Sequence, residues 1–506
     1  MTGPAFLAGL AALGGATFLA LSCPSERRAA RLAGGAMLAG SAGVLLAAGT
    51  VLLAGEPWEA RVPGLLRPLG GLALRLDALG AFFVGLVGLG GLPVALYTPA
   101  YVDGHGVSGR LVTGLLPLFL AGMALVPAAD NVITFLLAWE LMAVASYLLV
   151  VSDVGSDDAH SAGVWYATMT HAGLLALLVA FLVLGGSAGL DFATLRVRAG
   201  TLTPLQRTAV FVLALIAFGS KAGLAPLHVW LPRAHPAAPT PVSALMSAIM
   251  VKLGVYGLLR MTFDLVPAGP AWWGGALLVL GLVTGLVGVL YAVVDQHLKR
   301  VLAYSTIENL GLIFVAVGLA LLMRGYEQPL LAAAALGAAL LHVLNHACFK
   351  MLLFLGAGAM IHAVGTPALE AYGGLVRRMP VTTGFFLVGC LALAALPPLN
   401  GFPGEWLTFQ LLVAGARGTV PQFAVLLPLA VAGVALTAGL AAVSAVRLFG
   451  IACLALPRTA AAERAHEVSR GMRLGMALPA VAVLVLGLAP APVLALALEI
   501  VGRLGL

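Results

Sequence analysis

Windows of about twenty apolar residues recur from one end of this chain to the other, and that recurrence constrains the fold more than any other feature. Inside hydrocarbon no water satisfies backbone N–H and C=O groups, so a crossing segment must close its hydrogen bonds internally, as an α-helix does. About fourteen such windows can be placed, from Phe6–Ser22 through Asn131–Val151, Thr208–Leu231, Val242–Met261, Leu330–Ile361 and Thr382–Leu412 to Leu474–Gly487. Composition agrees: 61% of residues are hydrophobic and only 9% charged, which is far from the soluble average. The expected fold class is an all-α, polytopic membrane protein. Phe6–Ser22 lacks a positively charged leading region and an evident cleavage site, so it reads as a retained span. The apolar tail from Ala491 to Leu506 is set off by Pro490 and Pro492 and is short for a further span.

Two of the windows are interrupted. The seventh, Thr208–Leu231, contains Pro226, and the twelfth, Thr382–Leu412, contains Pro397, Pro398, Gly401, Pro403 and Gly404. Proline removes a backbone donor and breaks the helix ladder, and paired broken helices in the two halves of a chain point to inverted repeats around an ion path. The expected organisation is one membrane domain over 1–506. Helices 1–3 occupy 1–110, a first repeat of helices 4–8 occupies 111–261, a second repeat of helices 9–13 occupies 272–449, and a last helix and tail occupy 450–506. Repeats of five helices must insert in opposite senses. Arginine and lysine are more frequent in the loops after odd-numbered spans, which favours both termini outside.

Several function classes drop out. The net charge of +7 reports membrane topology, and nucleic-acid binding is not expected. Cys23, Cys348, Cys390 and Cys453 are scattered and form neither a CxxC pair nor a Cys/His metal spacing, so no iron–sulfur, zinc or other cofactor is expected in this chain. No Gly-rich phosphate loop follows a strand-like segment, and the 63 glycines read as helix-packing residues.

What remains is a set of ionisable residues at membrane depth. A charge at the bilayer centre costs roughly 2.5–3.5 kcal/mol on insertion scales, so such groups face partners or water and serve ion movement. Lys221 and Lys252 each lie near the middle of an apolar window, and Glu140 is central in the fifth. Glu140 and Lys221 are expected to face each other. An opposite charge favours the ionised form and burial the neutral one, so separating the pair would lower the lysine's proton affinity. His342, His346 and Lys350 follow at i, i+4 and i+8, one helical face with about 6 Å of rise between neighbours. Three titratable groups on one stripe read as a proton wire; a metal is disfavoured because no carboxylate lies between them and a lysine follows. Glu405 on the broken twelfth window would be the exit group, and Lys252 would connect the halves. His171 and His228 are candidate relays. Glu308 is expected near the interface, where a solvated charge is cheap, and Asp295 with Lys299 as a local surface pair.

With these residues in view, the chain resembles the proton-translocating antiporter-like subunits shared by respiratory complex I, Mrp-type cation/proton antiporters and membrane-bound nickel–iron hydrogenases. The resemblance runs from about Leu76 to Phe449 and rests on LLAWELMAVASYLLV, GSKAGLAPLHVWLPRAHPAAPTPVSALMSAIMVKLGVYG, LKRVLAYSTIENLG and LNHACFKMLLFLGAGAM. The wording of AHPAAPTPVSALMSAIMVKLGVYGLLR, with MTH at Met169 to His171, is most similar to the hydrogenase-4 component B and formate hydrogenlyase subunit 3 group. The resemblance implies a fourteen-helix core of two inverted five-helix repeats, with Glu140, Lys221, Lys252, His342, His346, Lys350 and Glu405 carrying protons. It implies a non-catalytic subunit of an oxidoreductase complex in a bacterial cytoplasmic membrane. Its partners would be membrane and redox subunits, lipid and protons, with Na⁺ as an additional candidate ion. A complex I pumping subunit or an Mrp-type antiporter subunit is the alternative. Hydrogenase-type members often continue beyond the fourteenth span, whereas this sequence ends at Leu506.

Overall fold

The computed structural model describes the chain except for residues 63, 65–70, 104–105, 154, 188, 267–268 and 418–422, and the side chains of 106–108 and 423. It is almost entirely helical, and thirteen of the described helices are long and apolar enough to cross a membrane. The chain forms two compact units, Met1–Ala222 with Ala237–Gly269, and Gly223–Pro236 with Pro270–Leu506.

The first unit begins with α1 (Thr2–Ser22) and α2 (Glu26–Ala54), then a two-stranded antiparallel ribbon of β1 (Trp58–Val62) and β2 (Leu72–Leu76). The ribbon, which hydropathy alone does not announce, pairs Trp58 with Leu76 and Glu59 with Arg75. There follow α3 (Ala78–Tyr101), α4 (Gly106–Leu125), α5 (Val132–Val150), α6 (Asp157–Gly185), the short α7 (Phe192–Ala199) and α8 (Pro204–Ala222). Polar residues start the helices in this part of the chain: the side chains of Asp77, Asn131 and Ser156 accept hydrogen bonds from the N–H groups of Gly80, Thr134 and Ala159, satisfying donors that have no intrahelical partner.

α8 stops where the sequence demands it. Gly223 has φ +81°, and Pro226 follows within the break. The short α9 (Leu231–Ala237) comes next, then α10 (Thr240–Leu265), a buried helix containing π turns at Met246–Met250 and Arg260–Leu265. Hydrophobic periodicity places this span correctly but is blind to the π turns. A Cβ on Gly254 would lie 2.6 Å from the Phe218 carbonyl, so α10 approaches α8 backbone to backbone beside Lys221.

The second unit contains α11 (Trp272–Val294), the buried α12 (Leu298–Gly325) and the 36-residue α13 (Pro329–Val364). The short α14 (Leu375–Arg378) leads to α15 (Pro380–Leu393) and α16 (Gly401–Ala416), which are the two halves of the expected broken window. Each half is shorter than a membrane span, so the thirteen long helices and this interrupted pair together account for the expected windows. α17 (Phe423–Cys453), α18 (Ala460–Arg464), α19 (Arg470–Leu488) and α20 (Ala491–Arg503) complete the chain. The apolar tail is therefore helical, and Leu494 and Leu498 pack beside Gly337 of α13.

Both breaks are satisfied locally. In the first, Ala225 N–H donates to Thr284 Oγ1 at 3.0 Å; in the second, Asn400 Nδ2 donates to the Asn345 carbonyl at 3.0 Å. Non-helical backbone at membrane depth persists only where such partners exist. Leucine and valine side chains such as Leu175, Leu182, Val446 and Leu484 are exposed on α6, α17 and α19, as a lipid solvent requires.

Candidate functional site

In the first unit Lys221 lies on the last turn of α8, 3% exposed. Its Nζ donates to the Tyr166 hydroxyl of α6 at 2.9 Å and lies 5.7 Å from the Trp139 ring centre on α5. Tyr166 is also 2.6 Å from Ser146 Oγ, whose own hydrogen is claimed by the Met142 carbonyl at 2.7 Å. The direct ion pair expected between Glu140 and Lys221 is not formed. No carboxylate oxygen lies within 4.0 Å of Lys221 among the described residues, and Glu140 Oε1 is buried without a hydrogen-bond partner. The ammonium is instead held by the Tyr166 phenol of α6, with the Trp139 ring of α5 beside it.

Lys252 is fully buried on α10, and its Nζ donates to the Ser247 carbonyl at 2.5 Å. That acceptor belongs to the π turn Met246–Met250, where wider winding displaces carbonyls from the regular ladder. A lysine placed just after the turn collects one of them.

In the second unit α12 and α13 bring together a continuous polar cluster. Lys350 Nζ donates to Ser305 Oγ at 2.5 Å and reaches the Leu302 carbonyl at 3.4 Å. Asn309 Nδ2 donates to the Glu308 carboxylate and to the Ser305 carbonyl, leaving its Oδ1 as acceptor for His342 Nε2 at 3.1 Å. With the amide donors spent on Glu308 and Ser305, the hydrogen between Asn309 and His342 is assigned to the imidazole. His346 stacks on His342 with ring centres 6.2 Å apart. The three residues of the stripe therefore share one buried face, as their spacing predicts. Glu405 of α16 is 7% exposed and within electrostatic reach of Glu308, which is itself within reach of Lys350. α16 can lie this close because position 404 is glycine: a Cβ there would stand 2.6 Å from His342 Nδ1.

Three expectations are corrected. Glu308 is not an interfacial charge but fully buried, and it is the carboxylate of the Lys350 cluster. Its sequence neighbours were the visible signal: Ser305 lies one turn before it on the same helix, and Asn309 directly follows it. Asp295 pairs with Arg300 at 2.6 Å and not with Lys299, which is buried. Arg260, at the very end of the Val242–Met261 window and counted with the charges of the loop beyond it, is 5% exposed within α10 and donates to Asp77 at 2.6 and 2.7 Å and to Asp264 at 2.9 Å, with Arg196 on the far side of Asp264 at 2.7 Å. Burial pushes the Asp77 carboxyl up, but the Arg260 guanidinium and the Gly80 N–H outweigh it and leave Asp77 below the ordinary carboxylate range.

The two candidate relays are not drawn into these clusters. His171 is exposed on α6, its Nδ1 against its own helix carbonyl at Ala167. His228 lies half-buried in the first break, and its Nδ1 has no hydrogen-bond partner among the described residues. Among the described residues no three His, Cys, Asp or Glu side chains converge as a metal ion would need, and the four cysteines form no disulfide.

An all-α membrane bundle with broken helices and buried lysine, glutamate and histidine clusters defines an antiporter-like membrane subunit. Residues 129–429 match the family described as NADH:quinone oxidoreductase/Mrp antiporter, transmembrane, and the chain belongs to that family. An uncharacterised protein of Mycobacterium tuberculosis is 49% identical over 422 residues, 83% of this chain and 65% of the relative. Hydrogenase-4 component B of Escherichia coli is 42% identical over 411 residues, 80% of this chain and 61% of the relative. The chain thus spans under two thirds of the length of these relatives. Among solved structures, one from the Mrp complex of Dietzia superposes with a TM-score of 0.82 at 28% identity, covering 99% of this chain and 52% of that one.

Proposed function

We propose that this protein is the proton-translocating membrane subunit of an energy-converting redox complex of the hydrogenase-4 or formate hydrogenlyase type, in a bacterial cytoplasmic membrane. The observation that carries this reading is the cluster Lys350, Ser305, Glu308, Asn309 and His342, buried and linked by hydrogen bonds, with Glu405 alongside. A cationic amine, a carboxylate and an imidazole joined through polar side chains can accept, hold and pass a proton where no bulk water reaches. Glu140, Lys221 and Lys252 supply the corresponding groups of the first unit. The same reading takes 111–261 and 272–449 as repeats, each containing one broken helix. Electrons would run in partner subunits, because the reading assigns no redox centre to this chain. The identity to hydrogenase-4 component B supports this assignment over related complexes.

The likeness to the Mrp structure favours a second reading, a cation/proton antiporter subunit driven by gradients alone. Mass spectrometry of the intact assembly purified through this chain separates the two. Nickel and iron–sulfur subunits in the assembly are expected; small antiporter subunits without any redox protein would overturn the first reading in favour of the second.

A further inference from the structure

We propose that Tyr166 is a positioning residue for Lys221, its phenol oxygen docking the ammonium in a resting site away from Glu140. The inference rests on the proton-translocation reading and deepens it.

The hydrogen-bond directions in this corner run one way. Lys221 Nζ, which has only donors, gives a hydrogen to Tyr166 at 2.9 Å. Ser146 Oγ spends its hydrogen on the Met142 or Ala143 carbonyl, at 2.7 and 3.0 Å, so in the short 2.6 Å contact between the two hydroxyls Tyr166 donates, with Met250 Sδ at 3.5 Å a weaker second acceptor. The chain therefore reads ammonium to phenol to serine to helix carbonyl, each bond polarising the next. Tyr166 and Ser146 are fully buried, so no water competes for the phenol. The Trp139 ring of α5 lies 5.7 Å from Nζ and adds an aromatic neighbour to this site.

Glu140 is the residue after Trp139, in the same turn of α5, yet its buried Oε1 is unmatched by any donor. Lys221 is thus held on a neutral phenol and not on the carboxylate of Glu140. A neutral acceptor holds the charge without locking it into an ion pair. Removing the phenol oxygen takes away the acceptor that holds the Lys221 ammonium, which is then no longer fixed in place.

The test uses the complete assembly in proteoliposomes, with Tyr166→Phe and with 3-fluorotyrosine and 3,5-difluorotyrosine placed at position 166. Fluorine barely changes the ring's size but weakens the oxygen as an acceptor. Tyr166→Phe is expected to lower proton translocation about tenfold, the scale of one hydrogen bond to a charged group. The fluorinated forms should fall in between, in order of fluorine number. A packing role would leave the fluorinated forms at the wild-type rate, and that result overturns the proposal even if Tyr166→Phe fails to assemble. Loss of translocation in Lys221→Ala together with wild-type fluorotyrosine rates would sink this inference alone. Wild-type translocation in Lys221→Ala would sink the underlying reading.

Discussion

Two buried lysines of this chain are held in different ways. Lys221 rests on a neutral phenol with the Trp139 ring beside it, and no carboxylate touches it. Lys350 is bonded to Ser305 within reach of Glu308, whose carboxylate is itself held by Asn309. A lysine on neutral partners is displaced at small cost, whereas one that balances a buried carboxylate is part of the fold's charge accounting. Lys221 is therefore the more loosely held of the two and Lys350 the more firmly held.

The largest effect that would break this contrast is on stability. Lys350→Ala removes the bond to Ser305 and the cation within reach of buried Glu308 and is expected to cost about 3 kcal/mol, whereas Lys221→Ala strips one hydrogen bond from a neutral group and costs about 1 kcal/mol. Thermal unfolding of the two purified variants checks this; equal midpoints would erase the distinction. Next comes Arg260→Met, which takes the cation from Asp77 and leaves Asp264 with Arg196 alone, and should cost roughly 3 kcal/mol while leaving translocation per folded assembly intact. A translocation defect at full stability would move Arg260 into the proton path.

Smaller is Gly404→Ala. The added methyl meets His342 and should cost about 1–3 kcal/mol by overpacking, and slow translocation by pushing α16 and Glu405 off the histidine. Unchanged rate and stability would show that the close approach of α16 to α13 is not needed. Asp295→Ala removes a partly exposed pair worth under about 1 kcal/mol and should be nearly silent in both assays. Smallest is a pH effect at His297, which caps α12. Burial first, then Arg300 and Lys299, depress its pKa from 6.5 to about 4. Between those values the unfolded chain binds a proton that the folded one refuses, so stability should decline as pH falls through this window. His297→Gln should flatten that slope in denaturation curves taken across it.

Much of this was legible in the sequence, for identifiable reasons. Membrane spans follow from length and apolarity, and both breaks follow from proline and glycine, because hydrocarbon leaves the backbone few options. The stripe of His342, His346 and Lys350 follows from helical spacing. What spacing cannot give is the partner from another helix. Glu308 looked peripheral until α13 supplied Lys350 and His342 beside it, and nothing in the sequence singles out Tyr166 until α8 lays Lys221 against its hydroxyl. Lys252 finds its carbonyl through a π turn, a change of winding that leaves no trace in a hydrophobic pattern. Arg260 looked like a loop charge because its counter-ion Asp77 lies 183 residues away in sequence.

The central claim is that ionisable groups hidden in the membrane domain carry protons. Proton uptake per electron transferred, measured on the whole assembly in sealed proteoliposomes with Lys221→Ala, tests it most directly. The account predicts an intact assembly whose uptake falls to background; uptake at the wild-type ratio would contradict it.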